Sequence, residues 1–158
     1  MLRAVVAVAL AAALLATSLP ALETAQRQRT ATHLGGEVDR LATAIADLRA
    51  REQATVGHGA RRVVAVRLPQ RDWTHAAVGY LAIGGRPRES DAVGNGATFA
   101  WRARGGGEQW RRTPGVRVAP VETCGGRPIV LREPGVHRIA LELGWRDGER
   151  RILARRLG

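Results

Sequence analysis

The chain has 158 residues, enough for one modest domain plus a terminal helix. Its 25 basic residues are all arginine, against 14 acidic ones, for a formal net charge of +11. A hydrophobic content of 45% can fill a core, and a single cysteine, Cys124, excludes an internal disulfide framework.

The charge balance suits an anionic partner such as nucleic acid, acidic lipid headgroups or an acidic polymer. The plainer reading is a GC-rich coding sequence that places arginine wherever a solvated cation is tolerated. The arginines are spread from Arg27 to Arg156 with no dominant block, which agrees with it.

Residues 4–19 form an uncharged, proline-free apolar run in which seven of the sixteen residues are alanine. A spanning helix wants about 20 apolar residues and a signal-peptide core only about 7–15, so the run sits between the two. It reaches the lower spanning limit by taking in Pro20, Ala21 and Leu22. Arg3 precedes it, and Glu23, Arg27 and Arg29 follow, which mildly favours an inside N-terminus with the bulk of the chain outside. Ala16-Thr17-Ser18 offers small residues for a signal-peptidase cut, but Leu19-Pro20 behind it is unfavourable. The expectation is a retained single-pass anchor over residues 1–22, with secretion after signal cleavage as the alternative.

A helical stalk is expected over residues 23–56. Leu34, Val38, Leu41, Ile45 and Leu48 are spaced 4-3-4-3 and form an apolar stripe. Glu37, Asp39, Arg40, Asp47, Arg49 and Arg51 between them predict a solvated opposite face, with Asp47 and Arg51 placed as an i,i+4 pair. Two heptads are too short for a coiled coil, so the stripe is expected to lie on the chain's own sheet. A partner helix is the sharper alternative. Gly35-Gly36 interrupts the pattern and predicts a hinge.

From Arg61 onward the period changes from 3.6 to 2. Strands are expected at 62–68, Val78–Ile83, 97–104, 109–111, 116–118, Ile129–Leu131, 137–143 and 150–157, with a loop over 86–95. Phe99 and Trp101 fall on one face of their strand, Arg102 and Arg104 on the other. Asp147-Gly148 suits a hairpin turn. The fold class is therefore α+β: a long N-terminal helix packed on an antiparallel β-sheet or small β-sandwich head at residues 57–158.

Catalytic constellations are not evident. His33, His58, His75 and His137 are scattered singly, and one cysteine beside dispersed histidines is poor material for zinc. Cys124 would need a base such as His137, which nothing in the sequence brings near it. Gly105-Gly106-Gly107 lacks the lysine and following helix of a phosphate cradle. Glu122, Glu133 and Glu142 form no recognisable acid/base pair. The expectation is no enzyme, no cofactor and no metal. Trp101, Arg102, Arg104, Trp110 and Arg111 could make a stacking and charge face for single-stranded nucleic acid or another anionic polymer, which is not favoured. The simpler role for Trp73, Trp101, Trp110 and Trp145 is core filling.

Residues 12–26, with an apolar half ending at Pro20 and an amphipathic continuation, resemble the spine helix of type IV pilins and type II secretion pseudopilins. The resemblance covers about the first 50 residues in pattern. It implies a kink at Pro20, a β-rich head on the amphipathic half, and a role as an accessory or minor subunit of a pilus or secretion system. Val5, Leu10, Leu14, Leu15, Pro20 and the stripe Leu34, Val38, Leu41, Ile45 and Leu48 would carry anchoring and assembly, with other pilin-like subunits as partners. The family's glycine-ending leader and early glutamate are not seen, and Glu23 follows the run instead. The stretch from Arg61 to Pro69 and the later Tyr80-Leu81-Ala82-Ile83-Gly84-Gly85 also resemble uncharacterised haloarchaeal envelope proteins associated with pilus-type systems.

Overall fold

The computed structural model describes residues 2–51, 60–87, 97–113, 118–120, 128–146 and 149–157. Cys124, His58 and the turn at Asp147-Gly148 lie outside them, as does most of the expected 86–95 loop.

Helix α1 (Leu2–Arg51) runs for 50 residues, about 75 Å at 1.5 Å per residue. It continues through Pro20 and through Gly35-Gly36. The hinge expected at the glycines is therefore corrected: the paired glycines lie inside a continuous helix. The flanking Leu34 and Val38 are fully buried, and their packing outweighs the roughly 0.5–1 kcal/mol that each glycine costs in a helix. A side chain at Gly35 would sit 3.6 Å from Cζ2 of Trp101, an ordinary contact distance, so the helix packs closely on the indole here.

The head comprises eight strands: β1 (Arg61–Leu68), β2 (Val78–Ile83), β3 (Ala97–Ala103), β4 (Gln109–Thr113), β5 (Val118–Pro120), β6 (Ile129–Leu131), β7 (Gly135–Arg146) and β8 (Glu149–Leu157). One sheet has the order β1-β7-β8-β5 and the other β4-β3-β2-β6. All pairings are antiparallel except β5 with β8. The α+β class, with a long helix on a β-rich head, is as expected. Arg104 leaves the expected strand for a turn, where Gly105 takes a positive φ of 75° that favours glycine.

The two sheets and the helix share one core. Val66, Ile139, Leu141, Leu143 and Ile152 come from the first sheet, and Leu81, Ile83, Phe99 and Leu131 from the second. Leu34, Val38, Leu41, Ile45 and Leu48 complete it from the helix. The stripe is thus taken up within the chain, as the own-sheet expectation had it, and is closed to a partner helix. A bulge in β2 brings both Val78 and Leu81 onto the core face, and Gly79 makes it possible. A side chain there would meet the Arg102 carbonyl oxygen at 2.8 Å.

Glu37 corrects the expectation of a solvated face. It is 3% exposed, accepts a hydrogen bond from the Arg67 backbone N–H at 3.2 Å and pairs with Arg40 at 2.7 Å. β1 ends its sheet, so Arg67 has a spare N–H, and the helix carboxylate occupies it. Asp47 pairs with Arg62 of β1 at 3.3 Å, and Asp39 pairs with Arg111 of β4.

Candidate functional site

The helix divides into two halves with opposite surroundings. From Arg3 to Ala25 every described side chain is exposed, and burial begins at Gln26. Val5, Leu10, Leu14 and Leu15 are each 60–67% exposed. An 18-residue window of the helix has a mean hydropathy of 2.3 and none of it is buried within the protein. The helix is long and apolar enough to cross a membrane. Two of its hydroxyls are satisfied within the helix: Ser18 donates to the Leu14 carbonyl at 2.8 Å and Thr24 to the Pro20 carbonyl at 2.9 Å. Such back-bonding lets polar residues reside in an apolar medium, and with Pro20 it favours bending.

At Gln26 the helix enters the head through a clamp. The Gln26 side-chain amide donates to the Trp73 carbonyl at 2.9 Å, and Thr30 donates to the Ala76 carbonyl at 3.1 Å. The His33 ring donates to the Arg67 carbonyl at 3.2 Å and meets His75 edge-on at 6.1 Å. The clamped loop is ordered by Asp72. Its Oδ1 accepts from the Thr74 N–H, the Thr74 hydroxyl and the His75 N–H, each at 2.7 Å. Those bonds, the Thr74 hydroxyl foremost, hold the Asp72 carboxyl down at about 2.

The Trp/Arg face expected on β3 and β4 is not one face. Trp101 is 8% exposed, under the helix, and its Nε1 donates to the Ala31 carbonyl at 3.1 Å. Arg102 lies on the opposite side of β3, its guanidinium 5.4 Å from the Tyr80 ring centre. Trp110 pairs with Ala100 and shares that outer side, where it is 56% exposed. Arg111 turns inward to Asp39, and Arg104 is exposed in the turn. Strand alternation separates these residues, so stacking cooperation between Trp101 and Arg102 or Trp110 is excluded.

The outer side of the second sheet carries a polar cluster with no signal in the sequence. The Tyr80 hydroxyl donates to Glu108, which also pairs with Arg86. Burial first, then the Glu108 carboxylate, pushes the Tyr80 phenol up to about 12. The Tyr80 hydrogen bond first, aided by Arg86, holds the Glu108 carboxyl below its usual range. A neutral phenol bonded to an ionised, arginine-paired carboxylate is a closed network, poorly placed to act as a general base at neutral pH. His137 is buried, with its ring bonded to the Glu133 carbonyl at 2.8 Å. Among the described residues no group of three His, Cys, Asp or Glu is arranged to hold a metal.

Fold and surface together define an α+β protein in which one unbroken helix is half core and half bare apolar surface. The chain belongs to the family described as Domain of unknown function (DUF7311), which matches residues 1–157. The match spans helix and head alike, so the two form one family unit. Neither the curated proteins nor the solved structures contain a match to this chain.

Proposed function

We propose that the chain is a non-enzymatic, single-pass membrane protein of the cell envelope, with its head on the extracytoplasmic side. It would serve as a pilin-like accessory subunit of a pilus or secretion apparatus. The observation that carries the reading is the bare apolar half of α1, rigidly continuous with a half that is core to the head. Surface of that size must be covered by lipid or by other apolar helices. Glu23, Arg27 and Arg29 behind the run mark where the apolar span ends, and the extracytoplasmic side of the head rests on the pilin-like layout. The pilin-like part of the proposal rests on layout alone: apolar half, proline, amphipathic half, β-rich head. Cysteine cross-linking tests it. Leu10→Cys or Leu14→Cys should give membrane-dependent cross-links to pilin-like subunits in the native host. Cross-links to lipid-facing probes alone would reduce the protein to a solitary anchored head.

A second reading, an exported β-domain for an anionic ligand, is favoured by a different surface from the one expected. Arg61, Arg67, Arg138 and Arg155 all point outward from the first sheet and are exposed. Affinity for DNA that falls steeply with salt, and again on Arg138→Ala, would favour it.

A further inference from the structure

We propose that Trp73 and the arginines around it seat the near end of the head on an anionic lipid surface. The proposal rests on the reading of α1 as a membrane span and adds a second, peripheral contact with the same bilayer.

The placement follows from the clamp. The Trp73 carbonyl is bonded to Gln26, and the Ala76 N–H reaches the Gln26 carbonyl at 3.5 Å. Gln26 lies about 6 Å along the helix from Leu22, the last large apolar residue of the exposed half. An indole is about as long as that interval, so Trp73 can reach the level where the apolar segment ends. Trp73 is 82% exposed, the most exposed large apolar side chain among the described residues. Its loop is short and tied at both ends: the Asp72 carboxylate binds Thr74 and His75, and the Asp72 N–H donates to the His75 carbonyl at 3.1 Å. A rigid loop that presents an indole to solvent has no function in packing. At a membrane–water interface the same indole is well placed, with an apolar body and a polar N–H.

Charge complements the apolar tip. Arg71 precedes the loop and is exposed. Arg104 donates its backbone N–H to the Ala77 carbonyl at 2.8 Å, which fixes the exposed turn of Arg104 and Gly105 beside the loop. Arg27 lies against Gly105, and Arg29 is exposed on the next part of the helix. Four arginines (Arg27, Arg29, Arg71 and Arg104) stand here against two acids, Glu23 paired with Arg27 at 2.7 Å and Asp72 bonded within its own turn, which leaves a net positive charge. The rim is therefore cationic around a single indole, the composition that anionic headgroups attract. The continuity of this rim with the exposed apolar helix selects a lipid surface over a soluble anion.

The test uses the full chain in nanodiscs made with or without anionic phosphatidylglycerol, with lipids brominated near the headgroup as quenchers. Subtracting the emission of Trp73→Phe from that of the native chain isolates Trp73, and so conservative a change at an exposed site leaves the fold intact. In anionic discs the Trp73 emission should shift to shorter wavelength and lose most of its intensity to the quencher. Arg71→Gln with Arg104→Gln should restore part of it. Incorporation of the chain with Trp73 emission unshifted and unquenched would overturn the proposal while leaving the anchor intact. Equal quenching in neutral discs would overturn the role of the arginines. Failure of the chain to enter discs at all would overturn the anchor and this contact together.

Discussion

Trp101 on β3 donates its indole N–H to the carbonyl of Ala31, 70 residues earlier in the chain, at 3.1 Å. The bond is buried, and its acceptor lies in the interior of the helix, one turn before Gly35, which packs against the ring. A single side chain thus records both the position of the head along α1 and the face of α1 that it covers. Trp101→Phe keeps most of the packing and leaves the hydrogen bond unmade. It should destabilise the head by about 1–3 kcal/mol in urea unfolding. An unchanged midpoint would show that the bond contributes nothing to docking.

The two halves of α1 should respond oppositely to truncation. Leu41 is fully buried and Leu14 is 67% exposed. Leu41→Ala should cost the head about 2–5 kcal/mol, and Leu14→Ala close to nothing. Equal losses at both sites, measured in detergent, would mean that the upper half also packs on the head.

Much of this division is legible in the sequence. The 4-3-4-3 stripe marks the helix face, and the alternation in β1 marks a strand with one side buried, whereas β2 is buried on both sides and shows as a short apolar run. Local pattern cannot decide which alternate face turns inward. Trp101 and Trp110 both precede arginines in sequence, yet one lies under the helix and the other faces outward. The burial of Glu37 depends on β1 being an edge strand, and the parallel pairing of β5 with β8 joins segments far apart in sequence. Gly35-Gly36 reads as a break because propensity is local, whereas the packing that overrides it comes from residues near 101. The Trp73 clamp likewise depends on a contact across 47 residues.

Glycine substitutions separate helix propensity from steric need. Nothing lies within 4 Å of a side chain built at Gly36, so Gly36→Ala should stabilise by about 0.5–1 kcal/mol. Gly79→Ala should destabilise by about 1–3 kcal/mol, because backbone must move to admit the methyl group. Thermal melts of the two variants should shift in opposite directions. A stabilised Gly79→Ala would contradict the bulge geometry.

The Tyr80 network predicts a pH dependence with a definite sign. The folded phenol titrates near 12 against an ordinary value of 10.0. Its contribution is fully present below about 10 and is lost as the pH rises from there through 12, because the unfolded chain ionises first. Glu108 has the opposite sense, being depressed in the folded state, and loses its contribution as the pH falls below the usual carboxyl range. Stability measured against pH should therefore decline above about 10, and Tyr80→Phe should flatten that decline. A profile unaltered by the substitution would show that the phenol does not titrate with folding.

The central claim is that the bare half of α1 remains part of the protein and lies in a membrane. Fractionation of the native host, with alkaline extraction of the membranes and sequencing of the mature N-terminus, tests it most directly. The account predicts a chain that resists extraction and retains residues 4–19. A chain released to the soluble fraction, with its terminus after Leu19, would contradict it.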